Sequence, residues 1–152
     1  MNKIIIFLQI LFATFFTFCS DESNSFIPQV ENGNFSIYVS NQSSDLDPVD
    51  LKITIDGRPA IKQEFYFVNG SNHIKFQFQL DNREHIFSVS SINGNVSKDT
   101  TFTLPATPYG LVTFWYIPAH NGYDEYKYLS VKFLTFAPIF ASMFSSGFNI
   151  TV

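Results

Sequence analysis

From Asn34 onward, apolar and polar residues alternate with a period of two, interrupted by short polar turns. The clearest run is His73 to Leu80, where Ile74, Phe76, Phe78 and Leu80 alternate with His73, Lys75, Gln77 and Gln79. Glu84 to Ser91 sets His85, Phe87 and Val89 against Ile86, Ser88 and Ser90. Phe35, Ile37 and Val39 alternate with Ser36, Tyr38 and Ser40, and Leu51, Ile53 and Ile55 with Lys52 and Thr54. A period of two gathers one set of side chains on one face of a pleated strand, and no helix would group them. Further strands are predicted over 61–68, 96–104, 110–117 and 128–136. The pattern predicts an all-β, antiparallel sandwich of about 7–9 short strands spaced roughly every ten residues.

The turns agree. Five of the seven glycines follow Asn or Asp, at Asn32-Gly33, Asp56-Gly57, Asn69-Gly70, Asn93-Gly94 and Asn121-Gly122. Both residues of such pairs accept positive φ, which makes them preferred corners of two-residue hairpins. Pro105 and Pro108 mark a connection that leaves the sheet, because proline cannot donate to a ladder. The tail from Ala137 to Val152 is apolar but broken by serines, and reads as a final strand or an apolar flap.

The N-terminus follows a different rule. Lys3 and the apolar run Ile4 to Phe18 form the charged and hydrophobic regions of a secretory signal, shorter than the ~20 residues of a spanning helix. The only cysteine, Cys19, closes this run, and Ser20-Asp21-Glu22 follows. Two processing routes are open. In one, Cys19 is lipidated and becomes the anchored N-terminus; in the other, cleavage after Cys19 releases a soluble secreted chain. An uncleaved N-terminal anchor is a third route, set back by the polar Gln9 inside the run. The domain organisation is therefore residues 1–18 as signal peptide, 19–33 as lipidated cysteine and tether, and 34–152 as the sandwich. All routes place the domain outside the cytoplasm, with the lipid-anchored cell surface as the leading expectation.

Composition narrows the partners. Roughly 130 residues remain after the signal, enough for one domain with a core of its own. Without an internal disulfide, apolar packing must hold it, and the chain's 19 phenylalanines supply it. The formal net charge is −4, and one unit more negative once Lys3 is removed. Scattered Lys and Arg on an acidic chain give no footprint for nucleic acid and no polybasic patch for anionic lipid.

Several resemblances add to this reading. Phe16-Thr17-Phe18-Cys19 resembles a bacterial lipobox, except that Phe18 stands where a small residue is usual. Ser20-Asp21-Glu22 resembles the acidic export tag of Bacteroidetes surface lipoproteins. The stretch from Ile37 to Phe136 is similar to a class of small, uncharacterised bacterial secreted or lipoprotein β-sandwiches. The residues that carry it are Ile37-Tyr38-Val39-Ser40-Asn41-Gln42-Ser43 and Val49 to Gly57. His73 before the Phe76 and Phe78 strand, His85 to Val89 ahead of Asn93-Gly94, and Trp115-Tyr116 complete the set. The same residues resemble immunoglobulin-like and transthyretin-like modules. The resemblance implies a fold and a location, and no catalytic or ligand residue.

Candidate chemistry is sparse. His73, His85 and His120 are the only histidines, and no two of them fall at i, i+2 or i, i+4 spacing with a nearby acidic or cysteine ligand. His85, on the face of Phe87 and Val89, is expected to hydrogen-bond a backbone group at the core's edge. Asp45, Asp47 and Asp50 are the closest approach to a calcium loop, but they lack its Gly and bidentate Glu, so solvation of a turn explains them. No serine lies in a Gly-flanked elbow. No metal, cofactor or catalysis is predicted. Trp115, Tyr116, Tyr123 and Tyr126 are the candidate partner-binding residues, because strand 110–117 is apolar on both faces and a loop with two tyrosines follows. Such rings with polar handles suit an extracellular protein or carbohydrate. The competing reading makes Trp115 the core anchor. Sheet edges offer an alternative role as an assembly subunit or spacer. Five sequons, at Asn34, Asn41, Asn69, Asn95 and Asn149, against roughly 2 expected by chance, leave open a secreted glycoprotein.

Overall fold

The computed structural model describes residues 25–68 and 73–138. Eight strands and no helix lie among them: β1 (Phe35–Asn41), β2 (Val49–Ile55), β3 (Arg58–Phe65), β4 (Ile74–Phe78), β5 (Glu84–Ser91), β6 (Val96–Thr103), β7 (Tyr109–Ile117) and β8 (Tyr126–Leu134). They form two four-stranded sheets, ordered β4-β1-β7-β8 and β3-β2-β5-β6. The all-β sandwich expected from the alternation is the fold observed. One pairing departs from the antiparallel expectation: β1 runs parallel to β7, from Ser36 opposite Tyr109 to Asn41 opposite Phe114. Period-two patterning fixes which face is buried but says nothing about strand direction.

The core is the inner face of each sheet. Phe35, Ile37 and Val39 of β1 meet Leu51, Ile53 and Ile55 of β2 and Phe87 and Val89 of β5, all fully or almost fully buried. At the β6/β8 side, Phe102 stacks on Phe35 at 4.3 Å between ring centroids and on Phe133 at 4.8 Å. Phe87 meets Phe133 edge-on at 5.3 Å. These rings tie one sheet to the other, and such pairs add about 0.5–1.5 kcal/mol each beyond burial.

Two of the predicted corners are tight hairpin turns with both central residues at positive φ: Asp56 (52°) with Gly57 (77°), and Asn121 (49°) with Gly122 (85°). The corner at Asn93-Gly94 differs. There Asn95 takes the positive φ of 50°, and Gly94 is required for space, since a Cβ would lie 2.7 Å from the Phe114 ring. The Asn69-Gly70 corner lies outside the described residues. Strand β3 begins at Arg58, ahead of the predicted 61, because Pro59 sits at a bulge opposite Thr54 on an edge strand, where its missing N–H costs little.

Residues 27–30, within the stretch whose polarity predicts a tether, lie against the sandwich. The Ile27 N–H donates to the Pro59 carbonyl at 2.8 Å and the Val30 N–H to Gln77 at 3.0 Å, while Gln29 bridges to Phe78. The Ile27 side chain is buried with the core. This strap spans from β3 to β4 and covers the side of the sandwich opposite β6 and β8. Cys19, the signal segment and the tail from 139 lie outside the described residues.

Candidate functional site

The β7–β8 hairpin carries an aromatic cluster at one end of the domain. On β7 the side chains of Val112, Phe114 and Tyr116 point inward, so Thr113, Trp115 and Ile117 stand on the outer face. Across the ladder, Trp115 is opposite Tyr128 and Ile117 opposite Tyr126. The Trp115 and Tyr128 rings are parallel within 8° at 6.2 Å between centroids, and Tyr126 follows at 5.3 Å from Tyr128. Cross-strand aromatic pairs stabilise the hairpin that bears them. They also leave surface open to solvent: Trp115 is 37% exposed and Tyr126 59%.

The connecting loop, residues 118–125, extends the cluster. His120 and Tyr123 exchange backbone hydrogen bonds at 3.2 and 3.0 Å across the Asn121-Gly122 turn, and Tyr123 is 81% exposed. Charge is kept off the aromatic strip. Glu125 accepts from the Tyr116 hydroxyl at 3.0 Å and faces Lys127 Nζ at 3.3 Å, with the Lys127 ammonium 5.0 Å from the Tyr116 ring centroid. The hydrogen bond from Tyr116, then Lys127, holds the Glu125 carboxyl below its usual range, and the same bond raises the Tyr116 hydroxyl above the ordinary phenol value. This acid–base pair therefore neutralises itself on the inner rim.

Of the four residues singled out from sequence, the structure gathers Trp115 and Tyr126 on one outer face and sets Tyr123 at the adjoining loop tip. Tyr116 lies on the opposite side of β7, packed against the core. Trp115 is not a core anchor; the inner positions belong to Phe114 and its neighbours. Tyr128 and Ile117 are the members the sequence did not single out. Tyr128 was signalled only by sharing a face with Tyr126 two residues away, and its pairing with Trp115 needs the register.

The remaining polar clusters have structural work. His85 is 2% exposed, with Nδ1 2.8 Å from Asp56 Oδ2 and Nε2 2.9 Å from the Asp81 carbonyl, and its ring stacks on Phe102 at 5.1 Å. The expected backbone bond is present, and the carboxylate is an addition. Asp56 also accepts from Arg83 Nη2 at 2.5 Å and from the Ile86 N–H at 2.9 Å. Burial pulls its carboxyl upward, but bonds from His85, Ile86 and Arg83 outweigh this and hold it below the usual range.

Asp50 closes the β5–β6 turn, accepting from the Ser91 hydroxyl and from the N–H groups of Ile92 and Asn93. Asp47 accepts from the Phe67 N–H at 2.8 Å. Asp47 and Asp50 thus serve separate loops, and no three His, Cys, Asp or Glu residues converge among the described residues. His120 faces the Asn121 amide at 2.7 Å. Two sequons are engaged in the fold: Asn34 exchanges hydrogen bonds with Leu80, and buried Asn41 donates to the carbonyls of Leu46 and Phe65.

The edges are guarded in part. Residues 29–30 lie on the outer side of β4. On β6, Lys98 pairs with Val89 and so points to the core-facing side of an edge strand, a charge placement that resists added strands. Comparison with family models, curated proteins and solved structures finds no match.

Proposed function

We propose that this protein is a lipid-anchored surface module that holds a non-catalytic β-sandwich outside the cell and uses its β7–β8 end to contact an extracellular protein or carbohydrate. The observation that carries the reading is the strip of exposed Trp115 and Tyr126 joined through the half-buried Tyr128 ring, continued by Ile117 and Tyr123. Large rings with hydroxyl and indole N–H groups give contact area at small entropic cost, and such residues dominate binding hot spots. The self-neutralised Glu125–Lys127 pair supports a partner recognised by shape and apolar faces. Cys19 is the proposed anchor, with the lipobox-like segment before it and the acidic tag after it as support.

The contact surface is tested by presenting the full chain and a Trp115→Ala/Tyr126→Ala variant to a glycan array and to plates coated with mucin, collagen or fibronectin. Binding to at least one probe, weakened about tenfold or more in the variant, is expected if these rings form the hot spot. Equal binding by a variant with unchanged stability refutes the site.

A further inference from the structure

The two ends of the sandwich differ in what arrives at them. The N-terminal chain reaches the domain at Ser25, whose Oγ accepts from Arg58 Nη2 at 3.3 Å, and Ile27 bonds to Pro59 two positions beyond the Asp56-Gly57 turn. That end also holds the start of β1 at Phe35 and the start of β7 at Tyr109, which pairs with Leu134 at the close of β8. The chain after Pro138, with Phe140, Phe144 and Phe148 in its sequence, departs from here too. Trp115, Ile117, Tyr126 and the His120–Tyr123 turn stand at the other end. The eight steps from Tyr109 to Ile117 separate the two ends by about 26 Å at the rise of a strand.

The large apolar side chains that project at the entry end include two phenylalanines. Phe26, between the residues tied to Arg58 and Pro59, is 54% exposed, and Phe136, just past β8, is 82% exposed. Resting on the anchorage reading above, we infer that the entry end lies on the bilayer, with Phe26 and Phe136 at the membrane interface and the Trp115 end facing away. Six residue steps separate Cys19 from Ser25, a reach of at most about 20 Å when fully extended. That is shorter than the domain, so a lipidated Cys19 cannot let the sandwich turn over and bring Trp115 to the lipid. The occupant is the lipid itself. The segment carrying the lipidated Cys19 and the apolar sequence after Pro138 both connect at this end, and exposed phenylalanines there lower their free energy by leaving water.

The chain's single tryptophan makes the orientation measurable. The full lipidated chain is reconstituted in phosphatidylethanolamine/phosphatidylglycerol vesicles with and without brominated acyl chains, whose bromines quench only indoles in contact with them. Wild-type Trp115 is expected to keep its intensity in brominated vesicles. A Trp115→Phe/Phe136→Trp variant is expected to lose intensity and shift to the blue. Quenching of wild-type Trp115 in a membrane-bound, diacylated chain overturns the orientation alone, and so does an unquenched Phe136→Trp probe. A blue shift without bromine quenching reports burial against protein, a second copy included, and also overturns it. If the chain instead begins at Ser20 and is found in the medium, by mass spectrometry of the native N-terminus, the anchorage reading fails and the orientation fails with it.

Discussion

Replacing Asp56 tests whether one carboxylate holds the β2–β3 turn to β5. Asp56 Oδ2 faces His85 Nδ1 at 2.8 Å and Arg83 Nη2 at 2.5 Å, while Oδ1 accepts from the Ile86 N–H. In Asp56→Asn the amide oxygen keeps the Ile86 bond and the amide nitrogen can still meet the His85 ring, so what is lost is the charge-assisted part and the Arg83 bond, which an amide nitrogen cannot accept. A hydrogen bond to a charged group contributes about 1.5–3 kcal/mol against about 0.5–1.5 for a neutral one. Arg83 is 54% exposed, which limits its pair to about 0–1 kcal/mol. Asp56→Asn should therefore cost about 2 kcal/mol. Asp56→Ala leaves the buried His85 nitrogen and the Ile86 N–H without partners and strains a left-handed position, for a cost of about 4 kcal/mol. Arg83→Ala should cost below about 1 kcal/mol.

The pH dependence has a definite sign. Because hydrogen bonds hold the folded Asp56 carboxyl below its usual range, its stabilisation is fully present above the unfolded value near ~3.9. It is lost as pH falls through the lower folded value. The stability gap between wild type and Asp56→Asn should therefore shrink on acidification from neutrality, while Asp50, also depressed, is common to both chains and cancels. Urea unfolding followed by Trp115 fluorescence, repeated from pH 7 downward, measures both quantities. Equal stability of Asp56→Ala and Arg83→Ala, or a gap that widens in acid, refutes the reasoning.

Phe102 sits among Phe35, Phe133, Phe87 and His85, so Phe102→Ala should cost about 4 kcal/mol, and Phe102→Leu less than half of that, by the same urea assay. Ile27→Ala should cost about 2 kcal/mol, the low end for such a truncation because a strap can settle onto the sheet. Hydrogen exchange should then speed up at the Ile27 and Val30 amides before any amide of β2 or β5.

The sandwich was legible because its signals are local. Strict alternation marked β4 and β5, and the Asp56-Gly57 and Asn121-Gly122 pairs stand at the hairpins their backbone preferences require. What escaped was set by residues distant in sequence. The parallel β1–β7 pairing leaves no mark on period-two patterning. Ile27 is one apolar residue in a polar stretch, and only the gap between β3 and β4 gives it a place to bury. Asp56 and His85 are 29 positions apart, so the carboxylate that meets the histidine could not be read from spacing. The aromatic site was half legible for the same reason. Alternation separates Trp115 from Tyr116, whereas pairing Trp115 with Tyr128, thirteen positions on, depends on the β7–β8 register.

The β1–β7 pairing also sets the order of events during biosynthesis. Ser36 meets Gln77 of β4 first and must wait for Tyr109, seventy-three positions later, before its second neighbouring strand exists. A nascent chain delivered N-terminus first therefore leaves one edge of β1 without its partner until nearly the whole domain has emerged. Contacts closing so long a loop make folding slow, on the order of milliseconds to seconds for such topologies. Throughout that interval β1 can mate with β4 on one side only, and its other side is a sticky border that a chaperone could shield and a crowded neighbour could capture.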